Sequence, residues 1–174
     1  MIKFFKLSLL LAAYALSNFT HANTEEMNIP STANAFIPYQ ASYTLFRKGS
    51  ELGKGQRRLE KKADGFHLSS NSNIKWLFLS DTRQEDSHFI INQDIITPLN
   101  YHYVRTGTGR DREETINFSP EQITSVYKNN KKTVKPIQHT YDPLAYQLAL
   151  RRDLIDDKKI FSYHIMRRGK ETQY

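Results

Sequence analysis

The stretch Asp64-Gly65-Phe66-His67-Leu68-Ser69-Ser70-Asn71-Ser72-Asn73-Ile74-Lys75-Trp76-Leu77-Phe78 carries two signals at once. Asp64-Gly65 is a hairpin turn pair, because both residues tolerate positive φ. After it, Phe66, Leu68, Ser70, Ser72, Ile74, Trp76 and Phe78 fall on one face of a long extended segment. A β-hairpin with a half-buried second strand follows, and the flanking sequence repeats the pattern.

Toward the N-terminus, Tyr39, Ala41, Tyr43 and Leu45 alternate with polar residues. Gly49 and Gly53 bracket a turn, and Gly53 to Lys62 form a charged second strand. Toward the C-terminus, Ser87 to Gln93 and Ile95 to Arg105 are strands joined at Asp94. Proline cannot donate a ladder hydrogen bond, so Pro98 belongs at an edge or a bulge. Gly107-Thr108-Gly109 is a turn. Arg110 to Phe118 and Ile123 to Tyr127 are strands joined by Ser119-Pro120-Glu121, and Asn129-Asn130 returns the chain through Thr133 to Ile137.

One segment breaks the alternation. Tyr141-Asp142-Pro143-Leu144-Ala145-Tyr146-Gln147-Leu148-Ala149-Leu150-Arg151-Arg152 has a written helix start. Asp142 can accept from free N–H groups, and Pro143 at the first helical position loses no hydrogen bond. Leu144 and Leu148, with Ala145 and Ala149, supply an apolar stripe, and Arg151-Arg152 suits the negative end of the helix dipole. The helix is expected over about 141–153, followed by a strand over Ile160 to Met166. The fold class is mostly β: a curved antiparallel sheet or half-open barrel with one helix packed against it.

The N-terminus is of a different kind. Lys3 and Lys6 precede an apolar run from Leu7 to Leu16, and the segment ends in Thr20-His21-Ala22. Small residues at −3 and −1 fit signal peptidase, and the run is about half of the roughly 20 residues that cross a bilayer. Residues 1–22 therefore read as a signal peptide cut at Ala22-Asn23, with the product in the periplasm and no transmembrane segment after cleavage. Residues 23–36 are a polar, aperiodic flexible leader. The chain has 174 residues, 25 basic against 18 acidic groups and no cysteine. Without Lys3 and Lys6 the balance is 23 to 18, a net +5 over 152 residues. Zero cysteine excludes disulfides, a thiol nucleophile, thiolate zinc sites and an N-terminal lipid anchor.

The chemistry is defined mostly by exclusion. His67, His88, His102, His139 and His164 lie in no ligand spacing, so no metal and no cofactor is expected. In Tyr101-His102-Tyr103 the histidine faces away from both tyrosines. Glu85-Asp86 and Glu113-Glu114 split between faces of a strand, so neither pair can act as acid and base. Ser119 lacks a nucleophile elbow, and Gly107-Thr108-Gly109-Arg110 has no phosphate-loop setting. An enzyme would need titratable groups from distant strands to converge in one cleft. Basic doublets such as Arg57-Arg58 and Lys131-Lys132 split between faces, and export removes nucleic acid as a partner. Tyr39, Tyr43, Trp76, Phe78, Tyr101 and Tyr103 either fill the core of a curved sheet or line a concave apolar cavity. On the second alternative Tyr43, Trp76, Phe78, Tyr101 and Tyr103 contact a lipid-like ligand.

The order of features resembles the DUF3108 family of exported bacterial proteins. The resemblance rests on Tyr39-Gln40-Ala41-Ser42-Tyr43 with Gly53 after a turn, on Ile74-Lys75-Trp76-Leu77-Phe78, and on Thr97-Pro98-Leu99-Asn100-Tyr101 leading into Gly109-Arg110. It rests most of all on Tyr141-Asp142-Pro143-Leu144-Ala145 with Leu150-Arg151. It covers about residues 37–174 and implies an exported, mostly antiparallel β protein with one inserted helix, but no functional residues. Members of the family continue with further strands, and this chain ends as a strand begins, so the domain 37–174 is expected to be incomplete. The expected function is a non-enzymatic envelope factor that binds a hydrophobic ligand. The alternative is an envelope assembly protein that uses an exposed sheet edge and has no cavity.

Overall fold

In the computed structural model the described residues are 35–137 and 139–174, so the signal peptide, its cleavage point and the leader up to residue 34 lie outside them. Eight strands run β1 (Tyr39–Arg47), β2 (Ser50–Lys62), β3 (Gly65–Trp76), β4 (Leu79–Asn92), β5 (Ile95–Gly107), β6 (Arg112–Phe118), β7 (Ile123–Tyr127) and β8 (Asn130–Val134). They form one antiparallel meander in chain order, open between β1 and β8 rather than closed into a barrel. A two-residue β9 (Thr140–Tyr141), the helix α1 (Ala145–Ile155), β10 (His164–Arg167) and β11 (Lys170–Gln173) follow. The last three strands make a second sheet in the order β11-β10-β9, with β9 and β10 parallel.

Strand register defines an inner face. One cross-strand row is Tyr39, Leu59, Leu68, Ser87, Tyr101, Ile116 and Ser125. All of these but Tyr39 are buried. The core forms where this row meets Leu144, Ala145, Leu148 and Ala149 of the helix segment and Tyr163, Ile165 and Met166. The helix is tied to the sheet by Arg57, which donates to Gln147 Oε1 at 2.5 Å. Pro98 sits at a bulge: His88 pairs with Asn100 but Phe89 with Pro98, leaving Leu99 as the extra residue.

The differences from the sequence reading have local causes. β3 stops at Trp76, and Leu77-Phe78 form the turn, so Phe78 does not continue the face of Phe66 to Trp76; Leu77 has φ 55°, which ends the extended run. The continuous helix begins at Ala145 because Tyr141 is in β9 and Asp142 to Leu144 form the capped first turn. β8 ends at Val134, since Pro136 cannot donate to a ladder. Packing begins before residue 37, with Ala35 and Phe36 buried.

Asp153 anchors the far end of the helix. Its Oδ1 accepts from Arg152 Nε at 2.8 Å and Lys158 Nζ at 2.6 Å, and its Oδ2 from the Tyr163 hydroxyl at 2.9 Å. Burial alone would raise its pKa, but the bonds from Lys158, Arg152 and Tyr163 outweigh it and leave it below the ordinary value. The stability this contributes is present at neutral pH and is lost as pH falls through the depressed value.

Candidate functional site

The five aromatic residues expected to contact a ligand do not share one cavity. Tyr101 is buried, and its hydroxyl donates to Glu85 Oε2 at 2.7 Å. Tyr103 is half-buried against the core. Tyr43, in the middle of β1, and Trp76, at the end of β3, occupy the same inner face and are half-exposed, and Phe78 lies in the turn beyond Trp76. β1 and β5 are four strands apart, so about 19 Å of sheet separates Tyr43 from the Tyr101–Tyr103 pair.

Titratable groups from distant strands do converge, beneath the helix. Ser87 Oγ donates to Asp142 Oδ2 at 2.7 Å, while Asp142 Oδ1 accepts the N–H groups of Leu144 at 2.8 Å and Ala145 at 2.9 Å. Glu114 accepts from Ser125 Oγ at 3.0 Å and from the Arg168 N–H. Burial is the main cause pushing the Asp142 carboxyl up to about 6, against these bonds, and it raises Glu114 too. Burial followed by the Glu85 charge raises the Tyr101 hydroxyl. Asp142, Glu114 and Tyr101 are each at most 2% exposed, so no substrate reaches them without opening the core. Their bonds join the helix start and the second sheet to the main sheet.

The accessible site lies elsewhere. At the end of the strands that carries the β4–β5 and β6–β7 turns, a pocket of about 530 Å³ opens between the sheet and Pro136, Ile137, His139 and Thr140. Ile90, Ile96, Pro98, Leu99, Phe118, Pro120, Ile123, Pro136 and Ile137 make its walls apolar. Three chain features shape it. The bulge at Pro98 bends β5, Pro120 turns the chain between β6 and β7, and Pro136 takes it off the sheet after β8. Thr140 fixes the outer wall, its hydroxyl lying 2.8 Å from Ile137 O and 2.6 Å from Glu171 Oε1, and its N–H donating to Ile137 O at 3.2 Å. The volume falls within the roughly 300–1,000 Å³ typical of small-molecule sites.

Two histidines that sequence spacing leaves isolated meet across β3 and β4. His67 and His88 are register partners on the outer face, with rings stacked 4.2 Å apart. Their Nε2 atoms each lie 3.5 Å from a carboxylate oxygen of Asp64 in the β2–β3 turn. Gly65 allows this turn to lean on β4: its φ is +137°, and a Cβ there would lie 2.6 Å from Phe89 O. The three donor groups fall within 4.8 Å of one another, close enough that they could hold a metal ion. The cluster is a carboxylate facing two imidazoles.

The family profile described as "Protein of unknown function (DUF3108)" matches residues 38–173, from the residue before β1 to the end of β11. The chain belongs to this family. No curated protein and no solved structure matches it. In this DUF3108 domain the apolar pocket escaped sequence reasoning because its walls come from strand ends and connections, where alternation carries no information. The usable signal was the set of prolines at 98, 120 and 136, each beside a large apolar residue within one or two positions.

Proposed function

We propose that this DUF3108 protein is an exported, non-enzymatic envelope factor that holds a hydrophobic, lipid-like ligand in the pocket between β5 and the wall of Pro136, Ile137, His139 and Thr140. The observation that carries this reading is the pocket itself: about 530 Å³, open to solvent, with nine apolar side chains in its walls. The export component rests on Lys3, Lys6, the apolar run to Leu16 and the Thr20-His21-Ala22 ending. The non-enzymatic component is supported by the burial of Asp142 and Glu114, which places the converging carboxylates out of reach of substrate. Among the described residues no helix is long and apolar enough to cross a membrane.

The alternative, assembly through a sheet edge, has one observation in its favour: β1 and β8 each have a single neighbour. β8 is short and carries Lys131 and Lys132, both of which discourage pairing, so β1 is the edge available for it.

Titration with cis-parinaric acid, a fluorescent fatty acid, tests the pocket. The expected result is saturable binding of one probe per chain. Ile137→Asp should weaken it by about tenfold or more, since a carboxylate in the wall must be desolvated when the acyl chain enters. Ile137 is 48% exposed, so this variant should keep the wild-type Tm. Non-saturable binding, or equal affinity in a folded Ile137→Asp protein, overturns the pocket reading.

A further inference from the structure

The end of the sheet opposite the pocket has a different character. Trp76, Leu77, Phe78 and Leu79 form the β3–β4 tip and are 44%, 80%, 84% and 40% exposed. Neither turn chemistry nor burial accounts for Leu77-Phe78 there. Leu77 holds φ 55°, a conformation that favours glycine or asparagine, yet its side chain is almost wholly in water. Neighbouring connections pack against this tip without covering it. The Arg47 guanidinium lies 4.7 Å over the Trp76 ring, and the Thr108 N–H donates to Ser80 O at 3.0 Å.

Charge divides along the strands in the same sense. Connections at the Trp76 end contain Lys48, Arg110 and Lys128 against Asp111, with Arg47 and Lys75 on adjoining strand ends. Connections at the pocket end contain Asp64, Asp94 and Glu121 against Lys135, with Lys61 and Lys62 on an adjoining strand end. Asp81, the nearest carboxylate along β4, is already held by Arg83 at 2.7 Å and Arg105 at 2.5 Å. The exposed aromatic tip therefore sits at the more basic of the two ends of the meander.

We propose that the β3–β4 tip docks on an anionic lipid bilayer, with Leu77 and Phe78 entering the acyl boundary, Trp76 at headgroup level, and Lys48 and Lys75 against lipid phosphates. The side-chain chemistry matches the layers of the interface in order: apolar at the apex, indole behind it, cations on the stems. The convex shape favours a bilayer over a protein partner. A stable protein interface needs on the order of 1,000 Å² of matched surface, which a two-residue turn does not present. Docking in this way would leave the pocket facing away from the membrane surface.

Trp76 is the chain's one tryptophan, so its fluorescence reports the tip alone even in the full chain. With vesicles containing phosphatidylglycerol, its emission should shift to the blue and become protected from iodide. Vesicles of phosphatidylcholine alone should produce a weaker shift. The double variant Leu77→Gly/Phe78→Ser should bind phosphatidylglycerol vesicles at least about tenfold more weakly. It should keep or raise the Tm, because glycine relieves the positive φ. Lys48→Glu and Lys75→Glu should each cost about fivefold on anionic vesicles. Unchanged Trp76 emission with anionic vesicles, or unchanged binding by the folded double variant, overturns the proposal. So does a blue shift that depends on protein concentration without lipid, which would mean that a second copy covers the tip.

Discussion

Asp142→Ala should destabilise the fold by about 2–4 kcal/mol, read as a lower Tm and denaturation midpoint. The substitution strands the Leu144 and Ala145 N–H groups and the Ser87 hydroxyl inside the core. Each buried group left unpaired costs about 1–3 kcal/mol, partly offset by removal of a buried charge. Asp142→Asn should behave differently. Its amide oxygen can still accept the two backbone N–H groups, and its NH₂ can donate to Ser87.

The pH dependence separates these effects. The folded-state pKa of Asp142 is about 6 against an ordinary 3.8, so the folded protein holds this proton more tightly than the unfolded chain. The contribution is fully present below 3.8 and is lost as pH rises through about 6. The gap corresponds to on the order of 3 kcal/mol at most. Relative to Asp142→Asn, the wild type should therefore lose stability between pH 4 and 7. Parallel stability curves for the two proteins, or an unaltered Tm for Asp142→Ala, would contradict this account of the helix cap.

Phe89→Ala should cost about 3–5 kcal/mol, the usual range for emptying a buried phenylalanine site. A fall in Tm of roughly 10 °C or more follows for a domain of this size. Phe89 is fully buried, lies parallel to Phe66 at a centroid distance of 6.0 Å, and stands at the bulge that brings Pro98 opposite it. The same bulge shapes the pocket, so Phe89→Ala should also weaken probe binding. Phe89→Leu fills most of the volume and should cost about 1 kcal/mol. A thermal scan showing equal Tm for Phe89→Ala and wild type would mean that the bulge, not the ring, organises this region.

The main sheet was legible because its strands obey a period of two over long runs. Asp64-Gly65, Asp94, Pro120 and Asn129-Asn130 all mark real breaks between strands, and Tyr101 and His102 lie on opposite faces as alternation requires. Glu113 and Glu114 divide in the same way: Glu113 accepts or shares a proton with exposed His102 at 3.0 Å, and Glu114 is buried. What alternation could not show was pairing at a distance. The parallel β9–β10 contact, the His67–His88 stack and the Ser87–Asp142 bond each join segments whose proximity depends on register or on helix docking. The Tyr141-Asp142-Pro143 signal was correct in chemistry but placed the helix early, because the cap needs a full non-repeating turn before Ala145.

Phe78 shows the same limit from the other side. Alternation continued through Trp76 to Phe78, but two residues at a strand end can as easily close a hairpin, and periodicity does not distinguish the two. The candidate ligand residues were chosen by aromatic content, whereas the observed pocket is built largely from isoleucine and proline at strand ends. Of the predicted set, Trp76 and Phe78 now belong to the proposed membrane tip, and Tyr101 to the core.

The most direct test of the central proposal is native mass spectrometry of the full-length gene product, expressed in a Gram-negative host and recovered from the periplasmic fraction. The account predicts a chain beginning at Asn23 that carries one lipid-sized adduct, with the adduct lost in Ile137→Asp. A protein of the same mass with no adduct, or an adduct retained in the folded Ile137→Asp variant, would contradict it.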